Sequence, residues 1–371
     1  MKLKDLANLV HRLAPPELAS DWDNSGLQVG DLDQPVTRIG LAMDATLATV
    51  ARAEALGCDL LLTHHPLIFS PLKSVNRHSG PGAVIWAAQA AGMAVFALHT
   101  NWDQAAGGVA QALADHLELT AERPMLPASR EFQKLVVFVP SGHETPVKEA
   151  LFEAGAGVLG DYQRTWFAAP GEGGFQVPAD GRPFIGRPGE EAKTRENRLE
   201  VLVPAARVEE AALAVRAAHP YEEPAFEFQA VKIFPPGQGF GLVASWSPAR
   251  DLFEELGRRP EFAGFKWAGP RPDRVGRVAL LPGSGGGHAA LARRLGAEAF
   301  LTGDVGYHQA LEAAALGLTL VDLGHFETEW PGLIRLGERL AALLARAGGE
   351  AVCQVLEEAP VWRLWPGGAT L

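Results

Sequence analysis

The stretch IGLAMDATLATVARAEALGCDLLLTHH, residues 39–65, decides the fold. Ile39 to Met43 is an apolar run that ends at Asp44. Ala45 to Leu56 then carries its apolar residues at the 3.6-residue spacing of a helix, and Leu60 to Leu62 is a second apolar run ending at Thr63, His64 and His65. Apolar run, polar end, helical period and apolar run again is the pattern of a βα unit in a mostly parallel sheet.

Outward from this stretch the pattern recurs. Ala94 to Leu98 ends at His99-Thr100-Asn101-Trp102-Asp103, and an alanine-rich helix begins near Gly108. In the C-terminal third, Val278 to Leu281 runs into Pro282 and the glycine-rich Gly283 to Gly287, Ala299 to Leu301 into Thr302-Gly303-Asp304, and Leu318 to Leu323 into Gly324-His325. Ligands of open α/β sheets collect beyond the carboxyl ends of the strands. These polar clusters are therefore expected to share one cleft.

Residues 128–239 change character. Gln133 to Val139 reads as a strand, Thr145 to Ala154 as a helix and Tyr162 to Ala168 as a strand; after a Gly/Pro-rich stretch, Pro170 to Glu190, come strand Arg198 to Val203, helix Ala205 to Ala218 and strand Ala225 to Val231. Strand, helix, two strands, helix, strand is the ferredoxin-like order. The expected fold is α/β: two discontinuous halves, 1–127 and 240–371, form a mostly parallel-sheet core, and 128–239 form an inserted ferredoxin-like α+β domain. Pro235-Pro236-Gly237 is the expected return hinge.

Composition narrows the function classes. With 371 residues, 47% of them hydrophobic and 21% charged, the chain has ample material for a packed core of more than one folding unit. Two cysteines, Cys58 and Cys353, without CxxC spacing are too few for a disulfide framework or a thiolate zinc site, and fit a reducing cytoplasm. The N-terminal MKLKDLANLVHRLAPPEL reads as an amphipathic helix with interleaved charges, not a secretory signal, and no uncharged apolar run reaches membrane-spanning length. A formal charge of -11 disfavours nucleic acid over the surface as a whole, leaving only local basic patches or bound cations as a route to it.

The chemistry lies at the strand ends. Adjacent His64 and His65 leave a strand into a turn, where their imidazoles can converge on neighbouring ions; two surface histidines in a turn is the plainer alternative. Asp103, after the next strand, can bridge two cations or simply favour a helix N-terminus. His325 follows a further strand, and Glu329, four residues on and close to Pro331, also has a helix-dipole explanation. Their conjunction favours a shared metal site: imidazoles and carboxylates stand at three strand ends with no thiolate competing. Such donors suit zinc, manganese or iron. Asp44, His99, Asp304 and His308 are placed to orient the ligands. The glycine run before a helix is open to two readings, anion cradle or tight turn. The polar groups of His219-Pro220-Tyr221-Glu222-Glu223-Pro224 are explained by a turn.

Together, Trp22-Asp23-Asn24-Ser25-Gly26-Leu27-Gln28-Val29-Gly30, Thr63-His64-His65-Pro66, His99 to Asp103, Thr302-Gly303-Asp304-Val305-Gly306-Tyr307-His308 and Gly324-His325-Phe326-Glu327-Thr328-Glu329 make the chain resemble the YbgI/YqfO family. This family is also called the Nif-three-like proteins and is often labelled GTP cyclohydrolase I type 2 homologues. The insert looks like that of the longer members, whose extra domain is similar to PII signalling proteins. The resemblance implies a dinuclear site mapping onto His64, His65, Asp103, His325 and Glu329, with Glu327 as the rival for the acidic position. It also implies a ring-shaped homohexamer.

The expected function is a metal-dependent hydrolase of a nucleotide-like or phosphorylated small molecule, since paired divalent cations activate water and stabilise developing negative charge. GTP ring opening is the reaction the family label suggests, and His99 or His308 the proton carrier. The rival expectation is a non-catalytic metal-binding or regulatory protein whose PII-like insert senses a ligand. A nucleic-acid-binding ring is the third.

Overall fold

Strands Leu60–Thr63, Ala94–Ala97 and Ala299–Thr302 are buried at every residue, which requires helices on both faces of their sheets. The computed structural model describes residues 1–362 apart from 79, 161, 248 and 349–350. It divides into two compact units, Met1–Ala128 with Pro236–Leu371, and Ser129–Pro235.

The first unit holds two sheets. One runs in the order Gly26–Val29, Ala94–Ala97, Leu60–Thr63, Arg38–Ala42, Val352–Val355, parallel throughout except at Gly26–Val29. The other runs Lys266–Ala268, Thr319–Asp322, Ala299–Thr302, Arg277–Leu280, Gly239–Ser245, Thr120–Pro127, and only its three strands between Thr319 and Arg277 pair in parallel. The core is thus mixed: the first sheet is mostly parallel, as expected, while the second keeps parallel pairing only in its interior and is antiparallel at both margins. The margin Thr120–Pro127 escaped the sequence reading because TAERPMLP contains two prolines and no alternation; an edge strand tolerates both.

Packing follows the helical period. Leu3, Leu6, Val10 and Leu13 of helix Leu3–Leu13 and Leu333, Leu336, Leu340 and Leu344 of helix His325–Arg346 lie against Ile39, Leu41, Leu60 and Leu62 on one sheet face. Val50, Ala53, Val84, Ile85 and Ala88 cover the other. Trp102, wholly buried, donates its Nε1–H to the Gly332 carbonyl at 3.1 Å and ties the loop after Ala94–Ala97 to the long helix.

In the second unit one antiparallel sheet, ordered Phe167–Gln176, Glu191–Pro204, Arg130–Pro140, Phe226–Ile233, carries helices Glu144–Glu153 and Val208–Ala218. Leu135, Val137, Val139 and Leu199, Val201, Val203 alternate onto the face that meets Val147, Leu151, Ala211 and Val215. The strand expected at Tyr162 to Ala168 lies instead at Phe167–Gln176, running through Pro170 and three glycines, Gly171, Gly173 and Gly174, read as loop. It is an edge strand, where a missing donor and missing side chains cost least. Among the described residues no helix is long and apolar enough to cross a membrane.

Candidate metal centre

After Thr63 the chain leaves its strand without losing its pairing: the His64 amide donates to the Ala42 carbonyl and the His65 amide to the Met43 carbonyl. Thr63 Oγ1 donates to the His65 carbonyl and closes the turn. The two rings therefore start from fixed backbone. His64 is buried, and its Nδ1–H donates to the Leu98 carbonyl at 3.0 Å, which fixes the tautomer and leaves the Nε2 lone pair facing inward. His65 is anchored through Nδ1 to Asp44 at 3.0 Å. His325, first residue of the long helix, is anchored through Nδ1 to Asp304 at 2.7 Å.

All three Nε2 atoms converge on one carboxylate oxygen. Glu329 Oε2 lies 3.1 Å from His65 Nε2, 3.1 Å from His325 Nε2 and 3.5 Å from His64 Nε2. Asp103, in the short helix Thr100–Asp103, has Oδ1 3.6 Å from His64 Nε2. The five residues singled out in the sequence are brought together, from three separate strand ends. Glu329 occupies the shared position because it stands one helical turn from His325, on the same face; Glu327, two residues from His325, is outside the cluster.

A glycine makes this possible. Gly283 has φ +70°, and a Cβ there would overlap Glu329 Oε1. The glycine run is committed within the chain: the Gly283 amide donates to Thr328 Oγ1 at 3.0 Å and the Gly285 amide to Thr302 Oγ1 at 2.9 Å. Of the two readings left open for it, the tight turn describes what is there.

Neutral imidazoles aimed at a carboxylate set lone pairs against lone pairs, so the arrangement needs protons or cations at its centre. Without cations it takes protons. Burial opposes charging His65, but hydrogen bonds to Asp44 and Glu329 outweigh it and carry the ring up to about 10. The hydrogen bond to Glu329 carries His325 up to about 9 against the opposing effect of burial. Burial pushes the Asp103 carboxyl up to about 6. Burial would raise Glu329 too, yet the surrounding histidines, His64 foremost, hold it well below the ordinary carboxylate value.

Divalent cations fit the same place. His64 Nε2 is buried without a hydrogen-bond partner, an orphaned acceptor of the kind that a folded protein rarely leaves unused. The donors form overlapping sets whose atoms lie within 4.8 Å of one another: His65, His325 and Glu329 in one, His64, Asp103 and Glu329 in another, and His64, His65 and His99 in a third. Nitrogen and carboxylate oxygen suit zinc, manganese and iron. The other ring nitrogens are held by carboxylates or a carbonyl, as the ring nitrogens opposite a metal usually are.

Of the four residues expected to orient the ligands, Asp44 and Asp304 do hold rings of the cluster. His99 stands beside the cluster, its ring centroid 5.4 Å from that of His64. His308 is exposed, its ring edge-on to Tyr307, and no hydrogen bond or ion pair joins it to the cluster. Asp23 was given no role from sequence. Its buried carboxylate meets His99 Nδ1 at 2.7 Å and accepts from Thr100 Oγ1 at 2.6 Å and Ser25 Oγ at 2.8 Å. Burial works to raise it, but these bonds keep it far below the ordinary range. The polar run Asp21 to Ser25 just ahead of strand Gly26–Val29 was the available signal. A cleft of about 1770 Å³ opens from Asp44, His65, Asp304 and His325 past Phe326 and Trp330.

The sequence profile of the Duf34/NIF3 (NGG1p interacting factor 3) family matches residues 1–359. A Mycobacterium tuberculosis protein called GTP cyclohydrolase 1 type 2 homolog is 33% identical over 96% of this chain and 95% of its own. A Bacillus subtilis protein of the same name is 35% identical over 87% and 88%. Among solved structures, a Bacillus cereus protein related to NIF3 superposes with TM-score 0.76 at 31% identity over 98% of this chain and 99% of its own. A Staphylococcus aureus protein gives 0.80 at 27% identity over 100% and 99%.

Proposed function

Because the chain belongs to the Duf34/NIF3 family, whose relatives carry the name GTP cyclohydrolase 1 type 2 homolog, we propose that it binds two divalent cations and is a metal-dependent hydrolase of a nucleotide-like or phosphorylated small molecule. The observation that carries the proposal is the convergence of His64, His65 and His325 on one Glu329 oxygen, with His64 Nε2 orphaned. In this reading His64, Asp103 and Glu329 would hold one ion, and His65, His325 and Glu329 would hold the other. Cations so held supply Lewis acidity and lower the pKa of water.

The chain's own residues do the rest. Asp44, Asp304 and the Leu98 carbonyl fix the rings so that ligand geometry is set before an ion arrives. Glu329 is buried at the centre, where its charge is least screened. His99, held by Asp23, is the proton carrier of the two considered, since His308 faces solvent. The resemblance further supports reading Ser129–Pro235 as a ferredoxin-like, PII-like ligand-sensing domain, and the assembly as a cytoplasmic homohexamer.

The test is a turnover screen of GTP, other nucleotides and phosphoesters against purified protein supplied in turn with zinc, manganese and iron. Turnover by the wild type that disappears in Asp103→Ala, with the melting temperature retained, supports the hydrolase. Metal binding with no turnover of any substrate sinks it and leaves a regulatory metal protein.

A further inference from the structure

Trp22 is 61% exposed and Phe69 55% exposed, yet their rings touch, with centroids 6.0 Å apart. Exposed apolar side chains scattered over a surface need no explanation. These two are different because the backbone beneath them is fastened. The buried Asp23 carboxylate accepts from the Asn24 amide at 2.7 Å, the Thr100 amide at 3.1 Å, and the hydroxyls of Ser25 and Thr100. Asn24 Nδ2 then donates to the Ile68 carbonyl at 2.6 Å, and the Ile68 amide donates to Gln28 Oε1 at 3.1 Å. The loop that carries Trp22 and the loop that carries Phe69 are stitched between Asn24, two residues beyond Trp22, and Ile68, next to Phe69.

The pair also has a definite neighbour. Trp22 and Phe69 both stand edge-on to His99, at 6.0 and 6.5 Å between centroids, and His99 shares a donor group with His64 and His65. Fixing an exposed indole and phenyl beside a polar cluster gains no core packing. It does prepare a flat apolar surface, so that a ligand lying on it orders little further protein on arrival.

We propose that Trp22 and Phe69 form the ring-binding face of the substrate site, on which a planar heteroaromatic ring such as a nucleobase stacks while the reacting group reaches the cluster past His99. This rests on the reading of the cluster as a small-molecule site. Stacking on an aromatic face is tolerant of which base is bound, because every base has a π-face. The selection is for flat rings over ringless phosphates.

The experiment compares two probes on zinc-loaded protein, guanosine monophosphate and inorganic phosphate, titrated into the wild type, Trp22→Ala, Phe69→Ala and Trp22→Phe, with assembly mass measured for each. We expect Trp22→Ala to weaken guanosine monophosphate roughly tenfold, Phe69→Ala to weaken it less, and Trp22→Phe to restore most of the loss. Phosphate affinity, zinc content and assembly mass stay as in the wild type. Equal guanosine monophosphate affinity in the wild type and Trp22→Ala overturns the proposal. So does a changed assembly mass in Trp22→Ala, which assigns the patch to a second copy of the chain. A wild type that binds both probes equally overturns the ring face alone; one that binds neither overturns the small-molecule reading with it.

Discussion

Each unit contains histidine held by hydrogen bonds, one residue in the second unit and a cluster in the first, and the two arrangements are built on opposite principles. In the second unit His219 uses both ring nitrogens: Nε2–H donates to the Phe138 carbonyl at 2.9 Å, and Nδ1 accepts from the Tyr221 amide at 3.0 Å. Tyr221 donates its hydroxyl to Glu196 and packs against His219, Phe175 and Phe184. Burial pushes His219 down, and burial together with Glu196 pushes Tyr221 up to about 12. This is a closed network, its imidazole and phenol both favoured in their neutral forms, that holds a turn. In the first unit each ring spends Nδ1 on an anchor and leaves Nε2 pointed at Glu329. A histidine whose two nitrogens are spent on backbone supports structure; one that directs a nitrogen at a shared carboxylate offers a ligand.

The hardest way to break this contrast is to remove the shared carboxylate. Glu329→Gln is expected to cost zinc affinity more than the roughly 10–100-fold that loss of an outer partner costs, read by competition with a chelator of known affinity, whereas His219→Ala leaves affinity unchanged. Loss of zinc on His219→Ala would erase the distinction. Next in size, Asp44→Asn and Asp304→Asn each free one ring to rotate and are expected to weaken zinc by about 10–100-fold, with the fold intact by circular dichroism.

His219→Ala sharpens the other side. It strands the Phe138 carbonyl and the Tyr221 amide, and should lower stability by about 1–3 kcal/mol in chemical denaturation. The smallest effect is expected from pH. His65 and His325 are raised in the folded, metal-free chain from an ordinary 6.5. Their stabilisation is complete below that value and is lost as pH rises through about 9 and about 10. His219 is lowered, so its contribution is lost in the opposite direction, as pH falls below 6.5. The metal-free chain should therefore melt a few degrees lower at pH 9.5 than at pH 7. Zinc affinity should rise over the same window, because the ligands bind as neutral imidazoles. Parallel profiles with and without zinc would contradict this.

The strand ends were legible because a short apolar run and its polar terminus are local: Thr63-His64-His65, His99 to Asp103 and Gly324-His325 all fall where the sequence puts them. The choice between Glu327 and Glu329 was also open to helix geometry, since only a residue one turn on faces His325. What escaped is nonlocal. Gly283 reads as a flexible turn until Glu329 is seen to need its missing Cβ. Asp23 looks like any loop acid until Thr100 and His99 close over it. Strand Val352–Val355, too short and too mixed to announce itself, joins the first sheet by pairing Cys353 with Ile39. Strand Phe167–Gln176 hides behind glycines and Pro170, whose penalties vanish only at a sheet edge.

The most direct test is the zinc content of each chain after saturation and removal of free metal, measured by mass spectrometry for the wild type, His325→Ala and Glu329→Gln. Two overlapping ligand sets that share Glu329 predict two ions in the wild type, one in His325→Ala and none retained in Glu329→Gln. A wild type that retains no zinc, or Glu329→Gln that retains as much as the wild type, would contradict a shared metal centre.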